Sequence, residues 1–223
     1  MRRDGFSLIE CMIAIFLSAM ILLGLDHIFM SSKQLLLREH AMSDIQERMR
    51  FVHFFLRKKI EMAGNWQCES DKPDLRSPVV VSLDEGQALQ TWGIVILPHT
   101  ELLQLRECVR FHDQWHYLPV EFFVAETSRR NQNNQIIDAL YYKINDRPRE
   151  ELLSGATKFH LTLIHLKQHS KKIISVKIQY VLSSIDAVFH SPHSYWYNGK
   201  NIMPNDRLLY QPGILYAACR AML

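Results

Sequence analysis

The sequence predicts an α+β fold: a long N-terminal helix, apolar in its first half and amphipathic in its second, packed on a β-rich globular head in a lollipop shape. Three observations in the 223 residues carry this prediction. An almost unbroken apolar run extends from Phe6 to Leu25. Met42, Ile45, Met49, Val52, Leu56 and Ile60 then recur at spacings of three and four, which draws one stripe on a helix. Beyond Pro73 the pattern changes to short apolar runs ended by turn residues.

Between Phe6 and Gly64 the only glycine is Gly24, and no proline precedes Pro73. One helix can therefore run from about Phe6 to Ala63, roughly 85 Å at 1.5 Å per residue. Phe6–Leu25 is long enough to cross a bilayer. Arg2 and Arg3 precede it, so the positive-inside tendency leaves the N-terminus in the cytoplasm and the head outside the inner membrane. A conventional signal peptide fits poorly, because Glu10 interrupts the apolar run near its start and no small-x-small cleavage site follows. In the second half, Asp44 with Arg48 and Glu47 with Arg50 are pairs that support a solvated face. Arg57, Lys58 and Lys59 suit the negative end of the helix dipole, and Gly64 is a natural stop.

The head follows. Strands are expected at Val79–Leu83, Gly93–Leu97, Glu107–His112 and Pro119–Ala125. Ser128–Gln135 reads as a polar loop, and Ala139–Ile144 as the next strand. The clearest hairpin joins Phe159–Leu166 to Ile173–Leu182. There Ile174, Val176, Ile178 and Tyr180 alternate with polar residues, the period of a half-buried strand. Lys167–Lys172 is its polar, exposed connection. From His190 the chain is rich in Pro, Tyr, Trp and Asn and shows no clear element. Tyr195-Trp196-Tyr197 reads as core packing in preference to an exposed binding patch.

Composition excludes several functions. The formal net charge is +3 and no Lys/Arg block stands out, so no nucleic-acid partner is indicated. Arg129 and Arg130 read as solvated loop residues. His112 with His116, and His190 with His193, have ligand-like spacings, but no further Cys or carboxylate completes either set, and no metal is expected. Ser194 with His190, His193 and Asp186 has no triad spacing. No GxSxG, P-loop or dinucleotide fingerprint occurs, and no cofactor is implied. Of the four cysteines, Cys11 lies in the membrane segment. Cys68, Cys108 and Cys219 lie in the exported part, where a disulfide is permitted. Cys68–Cys108 is the first choice of pair, with Cys68–Cys219 the alternative.

Glu10 needs an explanation. An ionised carboxylate in a membrane helix costs roughly 2.5–3.5 kcal/mol and calls for a partner. Gly5-Phe6-Ser7-Leu8-Ile9-Glu10 at the head of an apolar run resembles the processing signal of type IV pilins and type II secretion pseudopilins. The resemblance implies that a prepilin peptidase cuts between Gly5 and Phe6, and that the new amino terminus at Phe6 is methylated. It implies that Glu10 neutralises the α-amino group of a neighbouring subunit and fixes filament register. A buried charge is tolerable when an opposite charge is close.

Two further stretches narrow the likeness. Arg57-Lys58-Lys59-Ile60-Glu61-Met62-Ala63-Gly64-Asn65-Trp66-Gln67-Cys68 is similar to the helix end of PilW-type minor pilins. Ala139-Leu140-Tyr141-Tyr142-Lys143, followed by Glu150-Glu151-Leu152-Leu153-Ser154-Gly155-Ala156, is similar to a second stretch of that family. The implied organisation is a cleaved leader at 1–5, a transmembrane and filament-core helix at 6–25, its amphipathic continuation at 26–64 and a periplasmic head at 65–223. The implied role is that of a non-enzymatic minor pilin that primes type IV pilus assembly and resides at the tip. Its expected partners are prepilin peptidase, other minor pilins, the major pilin, the inner-membrane assembly platform and a tip adhesin. The alternatives are a J-type pseudopilin of type II secretion and a signal-anchored periplasmic binding domain that never assembles. A tethered exported enzyme is a further class, for which no active-site constellation can be named.

Overall fold

A computed structural model describes residues 8–63, 80–92, 94–111, 114–165 and 173–218. The chain divides into two units, Met1–Ala41 and Met42–Leu223. Helix α1 spans Leu8–Met62, close to the predicted limits. In the first unit its described residues are helical throughout and nearly all exposed. The predicted stop at Gly64 lies outside the described residues.

Among the described residues, the second unit is built of the last turns of α1, a short helix and ten strands. In order they are β1 (Val80–Leu83), α2 (Glu85–Trp92), β2 (Leu102–Phe111), β3 (Gln114–Arg130), β4 (Ile136–Ile144), β5 (Glu150–Ser154), β6 (Ala156–His165), β7 (Ile173–Ser183), β8 (Tyr195–Tyr197), β9 (Lys200–Ile202) and β10 (Tyr210–Ala218). Strands β1 to β5 form one antiparallel sheet in sequence order. A second antiparallel sheet has the order β10-β7-β6, and β8 pairs with β9.

The α1 stripe is buried as its spacing predicts. Ile45, Val52, Leu56 and Ile60 are each at most 2% exposed, with Met49 partly buried beside them. They share one core with Leu103, Leu105, Phe122 and Leu140 of the first sheet and Phe159, Val176, Ile178 and Tyr180 of the second. Each fully buried side chain of this kind stabilises the fold by about 1.5–3 kcal/mol. Phe55 on α1 meets Phe122 edge-on, with centroids 6.2 Å apart. The first sheet is covered on its other face too. Leu102, Phe123, Ala139 and Tyr141 pack there with Ala88 of α2 and with Ile94 and Ile96. Burial on both faces explains the unbroken apolar run Phe122-Phe123-Val124-Ala125.

Several elements differ from expectation. Ile94–Leu97 is not a strand, and Gly93 lies outside the described residues. Ile94 and Ile96 point inward while Val95 is exposed, so the period of two survives with a single ladder-like bond, Leu97 N–H to the Val124 carbonyl at 2.7 Å. Helix α2 was not expected, although its start is a capping box: Gln87 N–H donates to Asp84 Oδ1 at 2.9 Å, and the Gln87 side chain accepts from Asp84 N–H at 3.3 Å. Strand β2 begins five residues before Glu107, and β3 extends beyond Pro119–Ala125 at both ends. The predicted loop therefore shrinks to 131–135. Asn131 Oδ1 closes it by accepting from Asn133 and Gln135 N–H, and Asn134 takes a φ of 63°. Glu47 and Arg50 form no ion pair, whereas Asp44–Arg48 closes at 2.8 Å.

The end of the chain is more regular than its composition suggests. Asn198 and Gly199 both have positive φ, 51° and 75°, as a two-residue hairpin turn between β8 and β9 requires. Strand β10 pairs along its whole length with β7, from Tyr210 opposite Ser183 to Ala218 opposite Ser175. Gly213 lies opposite Tyr180, whose ring occupies the space a Cβ would need. The hairpin connection at Lys167–Lys172 lies outside the described residues.

Candidate functional site

Of the residues singled out by the sequence, Glu10 lies in the first turn of α1. A carboxylate there is favoured by the positive end of the helix dipole. Gly5 and Phe6, where cutting and methylation are expected, lie outside the described residues. From Leu8 onward the helix is long and apolar enough to cross a membrane, and none of its most apolar window is buried within the chain. Leu8, Ile9, Ile15, Phe16, Leu22 and Leu23 are each more than half exposed. Such a surface has no aqueous role and needs lipid or other helices around it. Ser18 returns its hydroxyl to the Ala14 carbonyl at 2.7 Å, so it adds no unsatisfied donor. Cys11 is a free, exposed thiol.

The α1 segment in the second unit is tied down by charge as well as by its apolar stripe. Arg48 donates to the Ser154 carbonyl at 2.8 Å and to Asp44 at 2.8 Å. Lys59 reaches Glu107 on β2 at 2.7 Å. Burial pushes the Glu107 carboxyl up, and the Lys59 ammonium pulls it back. The next residue, Cys108, is disulfide-bonded. The other two candidates, Cys68 and Cys219, lie outside the described residues.

Nothing in the head assembles into a reacting centre among the described residues. Asp186 accepts from Gln132, and His193 stacks on Phe189 at 4.2 Å. His112 lies outside the described residues. No group of three His, Cys, Asp or Glu is placed to hold a metal among those described. Tyr195 stacks on Tyr210 at 4.7 Å and the Tyr197 hydroxyl donates to the Gln179 carbonyl, as core packing predicts, but Trp196 is 67% exposed. The alternation of β8 forces that outcome, since neighbours on a strand face opposite ways. Arg129 is not a free solvated side chain either: it bonds Glu151 and Ser154 Oγ.

One cleft in the head carries a perturbed acid. It encloses about 140 Å³ and is lined by Asn131, Asp138, Ser183, Ser184, Asp206 and Tyr210 among others. Burial first, and the facing Glu126 second, push the Asp138 carboxyl up to about 6, with Lys158 opposing. Tyr210 donates to Asp206 at 2.6 Å, and the two serine hydroxyls are committed to the Gly155 and Asp186 carbonyls. Among the described residues lining the cleft, the serine and tyrosine hydroxyls are all engaged in hydrogen bonds. The consequence is for stability. The folded state holds the Asp138 proton more tightly than the unfolded chain, so this group favours folding at low pH and loses that contribution as pH rises through about 6. Asp138→Asn should therefore raise stability at pH 7.5 by on the order of 1 kcal/mol, after allowance for solvent screening, and leave it unchanged near pH 4. Thermal unfolding at the two pH values checks this, and equal shifts at both would contradict it.

Comparison with known proteins bears on the N-terminus alone. Residues 1–25 match the family described as the prokaryotic N-terminal methylation motif. No curated protein and no solved structure matches the chain. The matched segment holds Gly5, Phe6, Glu10 and the apolar run together, and it supports a type IV pilin or pseudopilin.

Proposed function

We propose that this chain is a minor pilin of the PilW type, which primes type IV pilus assembly with other minor pilins and stays at the filament tip. The observation that carries the reading is the methylation motif over residues 1–25, continuous with an exposed apolar helix. As a precursor the chain sits in the inner membrane, N-terminus cytoplasmic and head periplasmic. Prepilin peptidase cuts after Gly5, and Phe6 becomes the methylated first residue. Glu10 then faces the α-amino group of a neighbouring subunit, which offsets the cost of a carboxylate among apolar helices. The head lends specificity for its neighbours and no catalysis.

A second reading, the J-type pseudopilin of type II secretion, shares the same N-terminal motif. Deleting the gene and counting surface pili and secreted proteins in the same cells separates the two. A minor pilin predicts at least a tenfold loss of pili with secretion intact. Loss of secretion with normal piliation would put the chain in the secretion system instead.

A further inference from the structure

Among the described residues, the two larger sheets end on four strands, β1 and β5 in the first, β6 and β10 in the second. Three of these edges are closed by the devices that proteins use against edge-to-edge pairing. Strand β1 has only 4 residues. Strand β5 has 5, carries the exposed Glu150 and Glu151, and has its Ser154 carbonyl taken by Arg48. The edge of β6 is occupied by Glu101, whose N–H donates to the Phe159 carbonyl at 2.9 Å and whose Oε2 accepts from Leu161 N–H at 2.6 Å. Strand β10 is different. No charged residue occurs in Tyr210–Ala218. Pro212 guards only its first half, where Tyr195 also stacks on Tyr210.

The register fixes which backbone groups this edge offers. Ser184 N–H donates to the Leu209 carbonyl at 2.8 Å, one step before Tyr210 meets Ser183. Hydrogen-bonded and non-hydrogen-bonded pairs alternate along an antiparallel ladder. Gly213, Leu215 and Ala217 therefore bond to β7, whereas Pro212, Ile214 and Tyr216 turn their backbone groups away from it. Pro212 agrees, since it has no N–H to lose at an edge. The outward N–H and C=O groups of Ile214 and Tyr216 meet no partner among the described residues. The side chains alternate as well: Leu215 and Ala217 are 1% and 4% exposed, Ile214 and Tyr216 50% and 54%.

An open edge specifies its occupant, because only extended backbone presents N–H and C=O groups at the matching spacing. A second copy fits poorly. Two β10 edges could run antiparallel with Ile214 opposite the second copy's Tyr216, but Pro212 would then face Ala218 at both ends and stop the ladder. That leaves about five residues a side, against roughly 20–30 in a stable interface between folded bodies. A single extended segment needs no such area, since its main-chain bonds give affinity and its alternate side chains give specificity. We infer that the edge of β10 from Ile214 to Ala218 binds an extended, uncharged segment of a different polypeptide. Every second residue of that segment is β-branched or aromatic and packs on Ile214 and Tyr216, as cross-strand neighbours do. The edge belongs to the head alone, so this partner is independent of the minor-pilin reading.

The test places a benzophenone photocrosslinker at position 216 of the full chain, in the cells that make it, and maps the adduct by mass spectrometry. The expected adduct lies in an uncharged segment of another polypeptide. That segment is then made as a synthetic peptide, and its binding to the detergent-solubilised full chain is measured. N-methylation of every second amide of the peptide should weaken binding at least tenfold in one frame and leave it unchanged in the other, as strand addition requires. Ile214→Lys with Tyr216→Lys should also weaken it at least tenfold, with thermal unfolding within about 2 °C of the parent, because neither residue bonds to β7. Ile214→Pro is the backbone counterpart, used if the lysine pair alters unfolding, since it removes one outward N–H. The absence of an adduct, or an adduct within this chain, to a second copy or to lipid, would overturn the inference. So would peptide binding that is equally sensitive to N-methylation in both frames or indifferent to the edge substitutions.

Discussion

Replacing Glu10 with alanine should yield a chain that is still cut after Gly5 but enters the filament more than a hundredfold less often. The two halves of this expectation have different causes. Cleavage concerns the segment before the apolar run, and removing an acid from that run makes membrane insertion easier by roughly 2.5–3.5 kcal/mol. Assembly should suffer, because under the proposed pairing the neighbour's α-amino group would be left buried without its counter-charge. Breaking a buried pair by removing one partner costs about 3–5 kcal/mol, which is about two to four decades in an equilibrium. Glu10→Gln should rescue little, since an amide does not neutralise the amine. Normal incorporation of the alanine variant, scored by immunoblot of sheared filaments, would show that the carboxylate has no part in assembly.

Gly155→Ala should be among the most destabilising single substitutions in the head. Gly155 joins β5 to β6 with a φ of 80°, a conformation that costs other residues roughly 1–2 kcal/mol. Its N–H donates to the Asp138 carbonyl at 2.6 Å and its own carbonyl accepts from Ser183 N–H at 2.7 Å, so one residue ties the two sheets together. An added Cβ would lie 2.6 Å from the Ser183 carbonyl oxygen and 2.7 Å from Arg48 Nη1. The side chain of Arg48 can swing away, although it then gives up Ser154, but the Ser183 backbone cannot. Overpacking of this kind adds about 1–3 kcal/mol. The sum, about 2–5 kcal/mol, corresponds to a fall in Tm on the order of 10 °C for a unit of this size. In an Arg48→Ala background the glycine substitution should cost less, because one of its two collisions is gone, and the difference measures the coupling. A shift of less than about 2 °C would mean that the backbone here yields more easily than its hydrogen bonds suggest.

The α1 stripe was legible because a period of 3.6 sustained over five turns has no competing explanation, and Ile45, Val52, Leu56 and Ile60 are all buried. The β6–β7 hairpin was legible for the same reason at period two. Two further features carry a local signal in the sequence: the capping box from Asp84 to Gln87 that starts α2, and Asn198-Gly199, a strong local signal for a hairpin. Others had no local signal. Pro212 and Gly213 argue against a strand at β10, yet Pro is tolerated at a sheet edge and Gly213 is the residue that leaves room for Tyr180. The contact of Arg48 with Ser154 joins residues 106 apart, and Arg48 looked like one half of a surface pair. Of the candidate site, Glu10 and the apolar run stood out because a charge in such a segment is physically anomalous.

Processing into a mature subunit underlies every role proposed for this chain, and the intact N-terminus of the membrane-extracted protein tests it most directly. Mass spectrometry with and without active prepilin peptidase should find a chain that begins at N-methylated Phe6 only when the peptidase is active. A chain that retains Met1 in both strains, or one cut after the apolar run, would contradict the claim and leave an anchored or secreted domain with no filament to join.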